Sequence, residues 1–100
     1  METKDIGTVT LDKGTKKVKC FKFYNKEIER TLMVHADVDK PIHVSVSDEK
    51  TGFRLFGLDV SIDKVKMEQI EERLDTFIKH FTIPLIDAEF KRIENLPERE

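Results

Sequence analysis

The sequence predicts an α+β protein. An antiparallel meander of about five strands, roughly residues 5–62, is followed by one or two C-terminal helices, about 63–81 and 83–96, packed on one sheet face. Two observations predict this class. Apolar and polar residues alternate with a period of two through the first three fifths of the chain, and the apolar residues then recur with the period of an α-helix. Turn-forming residues separate the alternating segments, as expected for a meander.

Length and composition predict a soluble single domain spanning residues 1–100. Hydrophobic residues make up 38% of the chain and charged residues 38%. The net charge of −2 gives no indication that the protein as a whole binds nucleic acid or membranes. No apolar run is long enough for a transmembrane helix, and the N-terminal residues lack the apolar core of a signal peptide. The single cysteine, Cys20, excludes an internal disulfide, so we expect a cytoplasmic protein.

The first two predicted strands form a hairpin. Residues 6–11 alternate and end at a turn over 12–15, where Gly14 can adopt a left-handed conformation. The next run, Val18–Tyr24, is rich in residues that favour strands and has apolar side chains on both faces. This pattern predicts either a bulge or burial of both faces.

The most regular alternation occurs in residues 28–38 and 42–46, which are joined by a turn around Pro41. The register is predicted by matching their apolar faces. That match pairs Ala36 with Ile42, Val34 with Val44 and Leu32 with Val46. The following strand carries Phe53 and Leu55 and then changes face, which predicts a bulge at Gly57.

A helical stripe of apolar residues follows, and Ser61 or Asp63 is the predicted N-cap. The stripe consists of Met67, Ile70, Leu74, Phe77, Ile78 and Phe81. Pro84 interrupts the pattern, and proline is tolerated in a first helical turn but costly within a helix. Thr82 is therefore interpreted as the cap of a second helix; one helix kinked at Pro84 is the alternative. Residues 97–100 are expected to fray.

No arrangement of residues in the sequence matches a known catalytic chemistry. There is no evident Ser/His/Asp or Cys/His set, no glycine-rich phosphate loop and no pair of cysteines for a metal, so the sequence predicts a non-enzymatic protein without a cofactor. The predicted register places His35 opposite His43, which makes them weak metal-ligand candidates, although no third ligand is assured. Cys20 is interpreted as a small buried or half-buried side chain, and the carboxylates on the outer side of the first helix as a solvated surface.

Two segments are candidate interaction sites. The stripe of the second helix, Ile86, Phe90 and Ile93, either folds back onto the sheet or faces a protein partner, which includes a second copy in a homodimer. The segment 13–26 combines lysines with aromatic residues, as single-stranded nucleic-acid sites do. Its lysines are Lys13, Lys16, Lys17, Lys19, Lys22 and Lys26. A protein-binding or regulatory module acting through the C-terminal helices or a sheet edge is the leading hypothesis, and nucleic-acid binding the alternative.

Overall fold

A computed structural model describes residues 1–95 of the protein, with the strands first and the helices last. The elements are β1 (Asp5–Leu11), β2 (Gly14–Asn25), β3 (Arg30–Ala36), β4 (Val44–Asp48), β5 (Arg54–Leu58), α1 (Met67–Phe81) and α2 (Ile83–Glu94). The five strands form an antiparallel sheet in the order of the sequence. The predicted α+β class, with a five-stranded meander and two C-terminal helices, is confirmed.

The long strand β2 divides the sheet into two parts. Its first half, Gly14–Cys20, pairs with β1, and its second half, Phe21–Asn25, pairs with β3. The β1–β2 hairpin bends over the sheet, because Thr10 of β1 donates its backbone N–H to the carbonyl of Gly52 at 2.9 Å, in the turn between β4 and β5. The Thr10 hydroxyl also donates to the carbonyl of Thr51 at 2.7 Å. The hairpin thus spans the sheet face opposite the helices.

Gly52 is required at this contact. Its φ of +75° lies in the left-handed region, and a Cβ there would come within 2.8 Å of the Thr10 nitrogen and the Thr8 oxygen. The turn and the hairpin therefore approach each other backbone to backbone.

The sheet face that the helices cover, here called the helix face, holds the main apolar core. Val34 and Val44 have no exposed surface and Leu74 retains 2%, so the predicted common interior of sheet and first helix is confirmed. The buried members of this core are Ile28, Leu32, Val34, Val44, Val46, Phe56, Val65, Ile70, Leu74, Ile78, Ile86 and Phe90. Phe21 and Phe23 pack against it from β2.

The opposite face, here called the hairpin face, has a smaller apolar core. Met33 points to this face of β3 and is fully buried against Val9 of β1 and Cys20 of β2. Because Cys20 lies in this core while Phe21 and Phe23 lie in the other, β2 is buried on both faces, one of the two predicted outcomes. Strand alternation alone left Met33 on a polar side, since nothing in the local pattern shows that β1 covers it.

The predicted register between β3 and β4 is wrong by two residues. The structure pairs Ala36 with Val44 and Val34 with Val46, and His35 lies opposite Ser45 instead of His43. The connection is longer than predicted because the Asp37 carboxylate accepts the backbone N–H groups of residues 39 and 40, at 2.9 and 3.0 Å. A shift of two residues keeps every side chain on its predicted face.

Two local features also differ from the prediction. The irregularity in the β4–β5 ladder falls between Val46 and Ser47, opposite Leu55, whereas Gly57 is regularly paired with Ser45. Helix α1 begins at Met67, not near residue 63, because residues 61–65 form a separate turn closed by the Val65 N–H to the Ser61 carbonyl at 3.0 Å.

The two helices meet at Thr82, as predicted, with Pro84 in the first turn of α2. Thr82 has φ of +61° and makes no side-chain capping bond, so its position is confirmed but its predicted hydroxyl cap is not present. The expected fraying of 97–100 lies outside the described residues. Among the described residues, no helix has the length and apolarity needed to cross a bilayer.

A buried ion pair fastens α2 to the helix face. Arg30 donates two parallel hydrogen bonds to Asp48, at 2.8 and 3.0 Å, and a third to Glu94 of α2 at 2.7 Å. Its guanidinium carbon lies 3.9 Å from the ring centroid of Phe90, a cation–π distance. Asp48 also accepts bonds from the Thr51 hydroxyl and N–H, which shapes the β4–β5 turn.

Candidate functional site

A polar cleft opens on the hairpin face, between the tip of the β1–β2 hairpin and the ends of β3, β4 and β5. Its volume is about 460 Å³. The floor carries His35, Ser45, Ser47, Asp37 and Arg54, and the walls include Val9, Leu11 and Val38. The pleat explains this grouping, because alternate residues of β3 and alternate residues of β4 point to the same face.

His35 and Ser47 form a hydrogen-bonded pair in the cleft. The Ser47 Oγ lies 2.8 Å from His35 Nε2, and His35 Nδ1 lies 2.8 Å from the carbonyl oxygen of Ala36. A carbonyl can only accept, so Nδ1 carries the proton in the neutral ring and the Ser47 hydroxyl donates to Nε2. Both side chains are almost fully buried. Burial lowers the pKa of His35 below its usual value, which favours the neutral ring.

Asp37, Ser45 and Arg54 form a second network nearer the cleft mouth. The Ser45 hydroxyl donates to Asp37 at 2.6 Å and accepts from Arg54 Nε at 3.0 Å. The Ser45 hydrogen bond, helped by the backbone N–H groups of residues 40 and 39, lowers the pKa of Asp37 to about 2. Arg54 Nε lies 3.8 Å from the Asp37 carboxylate. The cleft therefore holds an ionised carboxylate and a guanidinium beside a neutral Ser–His pair.

This cleft was not predicted from the sequence. No Ser/His/Asp set was evident there, whereas the structure places Ser47, His35 and Asp37 in one cleft. A signal was present, because residues 35 and 37 and residues 45 and 47 are polar at a spacing of two on adjacent strands. Reading this signal required the correct register and the knowledge that the hairpin encloses that face.

A second concave surface, the apolar groove, lies between β5 and the helices. It has a volume of about 500 Å³. Its lining residues are Phe53, Arg54, Leu55, Phe77, Phe81, Leu85, Ile86, Glu89, Phe90 and Ile93. Phe81 and Leu85, at the corner between the helices, are 45% and 63% exposed. The groove thus has two exposed apolar side chains at its end.

The predicted partner-binding residues divide between core and groove. Ile86 and Phe90 are buried, with 5% and 6% exposure, because α2 folds back onto the sheet. This is the first of the two alternatives that the sequence left open. Ile93 is half-buried at the groove. Two other large apolar side chains are exposed at this groove. Phe81 is the last residue of the predicted α1 stripe, and Leu85 lies in α2 but outside its predicted stripe.

The lysines of segment 13–26 lie mostly at the surface. Lys13, Lys16, Lys17, Lys19 and Lys26 are exposed. Lys22 is half-buried and forms an ion pair with Glu49 at 3.0 Å. Phe21 and Phe23, two of the aromatic residues interleaved with these lysines, pack against the main core, while Tyr24 is exposed. The segment therefore has five exposed lysines but only one exposed aromatic side chain.

The two weak metal-ligand candidates, His35 and His43, are not opposite each other. His35 is paired with Ser45 and is hydrogen-bonded to Ser47, and His43 lies 3.5 Å from Asp59. Within residues 1–95, no three histidine, cysteine or acidic side chains are grouped as a metal would require. Cys20 is buried as predicted, and burial raises the pKa of its thiol, which disfavours the reactive thiolate.

Comparison with known proteins gives no relative for this chain: no family model, no curated protein and no solved structure matches it.

Proposed function

We propose that the protein is a protein-binding module that associates with a second copy of itself through the apolar groove, in a reducing cytoplasm. The observation that carries this proposal is the pairing of a groove with a protruding apolar side chain on the same surface. Leu85 is 63% exposed at the end of the groove. A two-fold dimer requires a surface of this self-complementary kind, because each copy contributes both the projection and the recess.

Neighbouring side chains support this arrangement. Phe81 extends the exposed apolar surface beside Leu85, and its ring packs 4.8 Å from that of Phe77, measured between centroids. Clustered rings with a leucine form the kind of apolar centre that carries the binding free energy of many interfaces. The rim carries the Glu89–Arg92 ion pair, which suits a polar boundary.

Light scattering on the purified full chain tests the proposal. We expect the mass of a dimer for the wild type and of a monomer for Leu85→Glu, because the carboxylate would be desolvated at the interface. Ile42→Glu is the matched control, since Ile42 is 73% exposed outside the groove. Both variants should retain the wild-type circular dichroism. A wild type that is monomeric at high micromolar concentration, or a dimer that survives Leu85→Glu, would contradict the proposal.

A second candidate function is binding of single-stranded nucleic acid by the β1–β2 hairpin. Lys17 and Lys19 support it, because they are both exposed and, two residues apart, lie on one face of β2. Anisotropy of a labelled oligonucleotide should then fall steeply with salt. The double variant Lys17→Glu/Lys19→Glu should lose binding, whereas Lys79→Glu, on α1, should keep it. Wild-type protein that shows no binding at low salt rules this candidate out.

A further inference from the structure

We propose that Ser47 and His35 form a nucleophile–base pair that accepts acyl groups from small esters in the polar cleft. This activity is additional to self-association and does not depend on the apolar groove. It rests on the hydrogen bond of 2.8 Å between Ser47 Oγ and His35 Nε2 and on the bond of 2.8 Å from His35 Nδ1 to the Ala36 carbonyl. A serine is activated when a base holds its proton and a third group fixes the base.

The hydrogen-bond directions are those that the reaction needs. Because Nδ1 keeps its proton and donates it in a hydrogen bond to the Ala36 carbonyl, Nε2 presents its lone pair to the Ser47 hydroxyl. The same carbonyl stabilises the imidazolium that forms when Nε2 accepts a proton. Burial keeps the resting ring neutral by lowering its pKa, and the nearby charges are Asp37, which favours the protonated ring, and Arg54, which opposes it. The base is therefore ready to accept a proton at neutral pH.

The cleft provides the remaining parts of an acyl-transfer site. Its volume of about 460 Å³ fits a short ester, and Val9, Leu11 and Val38 provide apolar wall for the acyl chain. Arg54 lies opposite Ser47 in the β4–β5 ladder, and its side chain is 58% exposed in the cleft. In the resting structure its Nε donates to Ser45 at 3.0 Å, so stabilising the oxyanion at Ser47 requires the guanidinium to turn from Ser45 toward Ser47.

The location of polar residues on the hairpin face also supports a site. One half of this face is an apolar core around Met33, whereas the half that lines the cleft carries His35, Ser45 and Ser47. Burying neutral polar groups is less favourable than burying apolar ones even when every hydrogen bond is made. Departures from apolar patterning of this kind concentrate at functional sites.

The reaction requires only the ester and water. Ser47 Oγ attacks the ester carbonyl carbon while its proton moves to His35 Nε2. The carbon–oxygen bond to the alcohol then breaks, and the departing oxygen takes that proton, which leaves the acyl group on Ser47. Water attacks the acyl-serine as His35 removes its proton, and the bond to Ser47 breaks to release the carboxylic acid and restore the hydroxyl.

Covalent labelling of the full chain tests the proposal. A fluorophosphonate probe should add once, and peptide mapping should place the adduct on Ser47. Hydrolysis of p-nitrophenyl acetate should fall at least about a hundredfold in Ser47→Ala and in His35→Gln. Ser61→Ala is the matched control, because Ser61 lies outside the cleft, and it should retain the wild-type rate.

The labelling experiment uses the wild-type protein, so it is informative even if a variant folds poorly. An adduct placed on any residue other than Ser47, or no adduct at all, would overturn the proposal. Equal hydrolysis by the wild type and a folded Ser47→Ala would do the same. A monomeric protein that labels at Ser47 would refute self-association and leave the acyl-transfer site standing.

Discussion

The two faces of the sheet are built from the same strands but buried in different ways. On the helix face, α1 and α2 cover a continuous apolar core, and at one end of it the buried Asp48 is paired with Arg30. On the hairpin face, β1 and β2 cover a small apolar core and leave a polar cleft beside it. Stability is therefore expected to come mainly from the helix face, and chemistry from the hairpin face.

Strand β4 shows the contrast residue by residue. Val44 and Val46 point to the helices and have no exposed surface, whereas Ser45 and Ser47 point to the cleft and are also buried, with 1% exposure each. At these four positions the two faces are therefore buried to a similar extent. The two faces differ in that the buried serine hydroxyls need hydrogen-bond partners, whereas the valines need none. Ser47 is bonded to His35, and Ser45 to Asp37 and Arg54.

The largest effect is expected for Asp48→Ala. The substitution leaves the half-buried Arg30 with only the more exposed Glu94 as partner and removes two bonds to Thr51. Breaking a buried pair on one side costs about 3–5 kcal/mol in the free energy of unfolding. Urea denaturation measures this loss. Lys50→Ala is the control, because Lys50 is exposed and should change stability by less than about 0.5 kcal/mol. A loss under about 1 kcal/mol in Asp48→Ala, as for an exposed pair, would refute the importance of this contact.

The next effect compares the two apolar cores. Leu74→Ala on the helix face should lower the free energy of unfolding by about 3–5 kcal/mol, since it leaves a cavity in the larger core. Met33→Ala should cost about 2 kcal/mol, because the smaller core under the hairpin has fewer neighbours to lose. Chemical denaturation of both variants measures the difference. Equal losses would show that the two faces contribute equally to stability.

The smallest effect is the pH dependence that His35 gives to the hairpin face. Burial lowers its folded pKa, so the unfolded chain binds more protons and stability falls as pH drops below the unfolded value of about 6.5. The slope should not exceed about 1.4 kcal/mol per pH unit. Asp37 titrates in a lower window, since its pKa is held at about 2. Thermal melts between pH 7 and pH 5 measure the His35 contribution, which His35→Gln should remove; an unchanged slope in this variant would assign it to other groups.

The sequence predicted the helix face better than the hairpin face for a physical reason. Leu74 and Val34 could be assigned to the core because helical and strand periodicities are local and each defines one apolar side. Ile86 and Phe90 were correctly placed on one stripe of α2, but the pattern left open whether the sheet or a partner covers that stripe. The pair Ser47 and His35 was not found, because it depends on register and on a distant hairpin.

By itself, the sequence determined the order of the strands and helices, the division at Pro84 and the face on which each β3 and β4 side chain lies, because these follow from spacing along the chain. Tertiary structure decided which atoms meet. Hydrogen bonds to Asp37 make the β3–β4 connection longer than predicted, so that His35 is paired with Ser45 and not with His43. The absence of a side chain at Gly52 allows the backbone of Thr10 to approach the β4–β5 turn beside the cleft. Such contacts join residues far apart in the chain, where no periodicity constrains them.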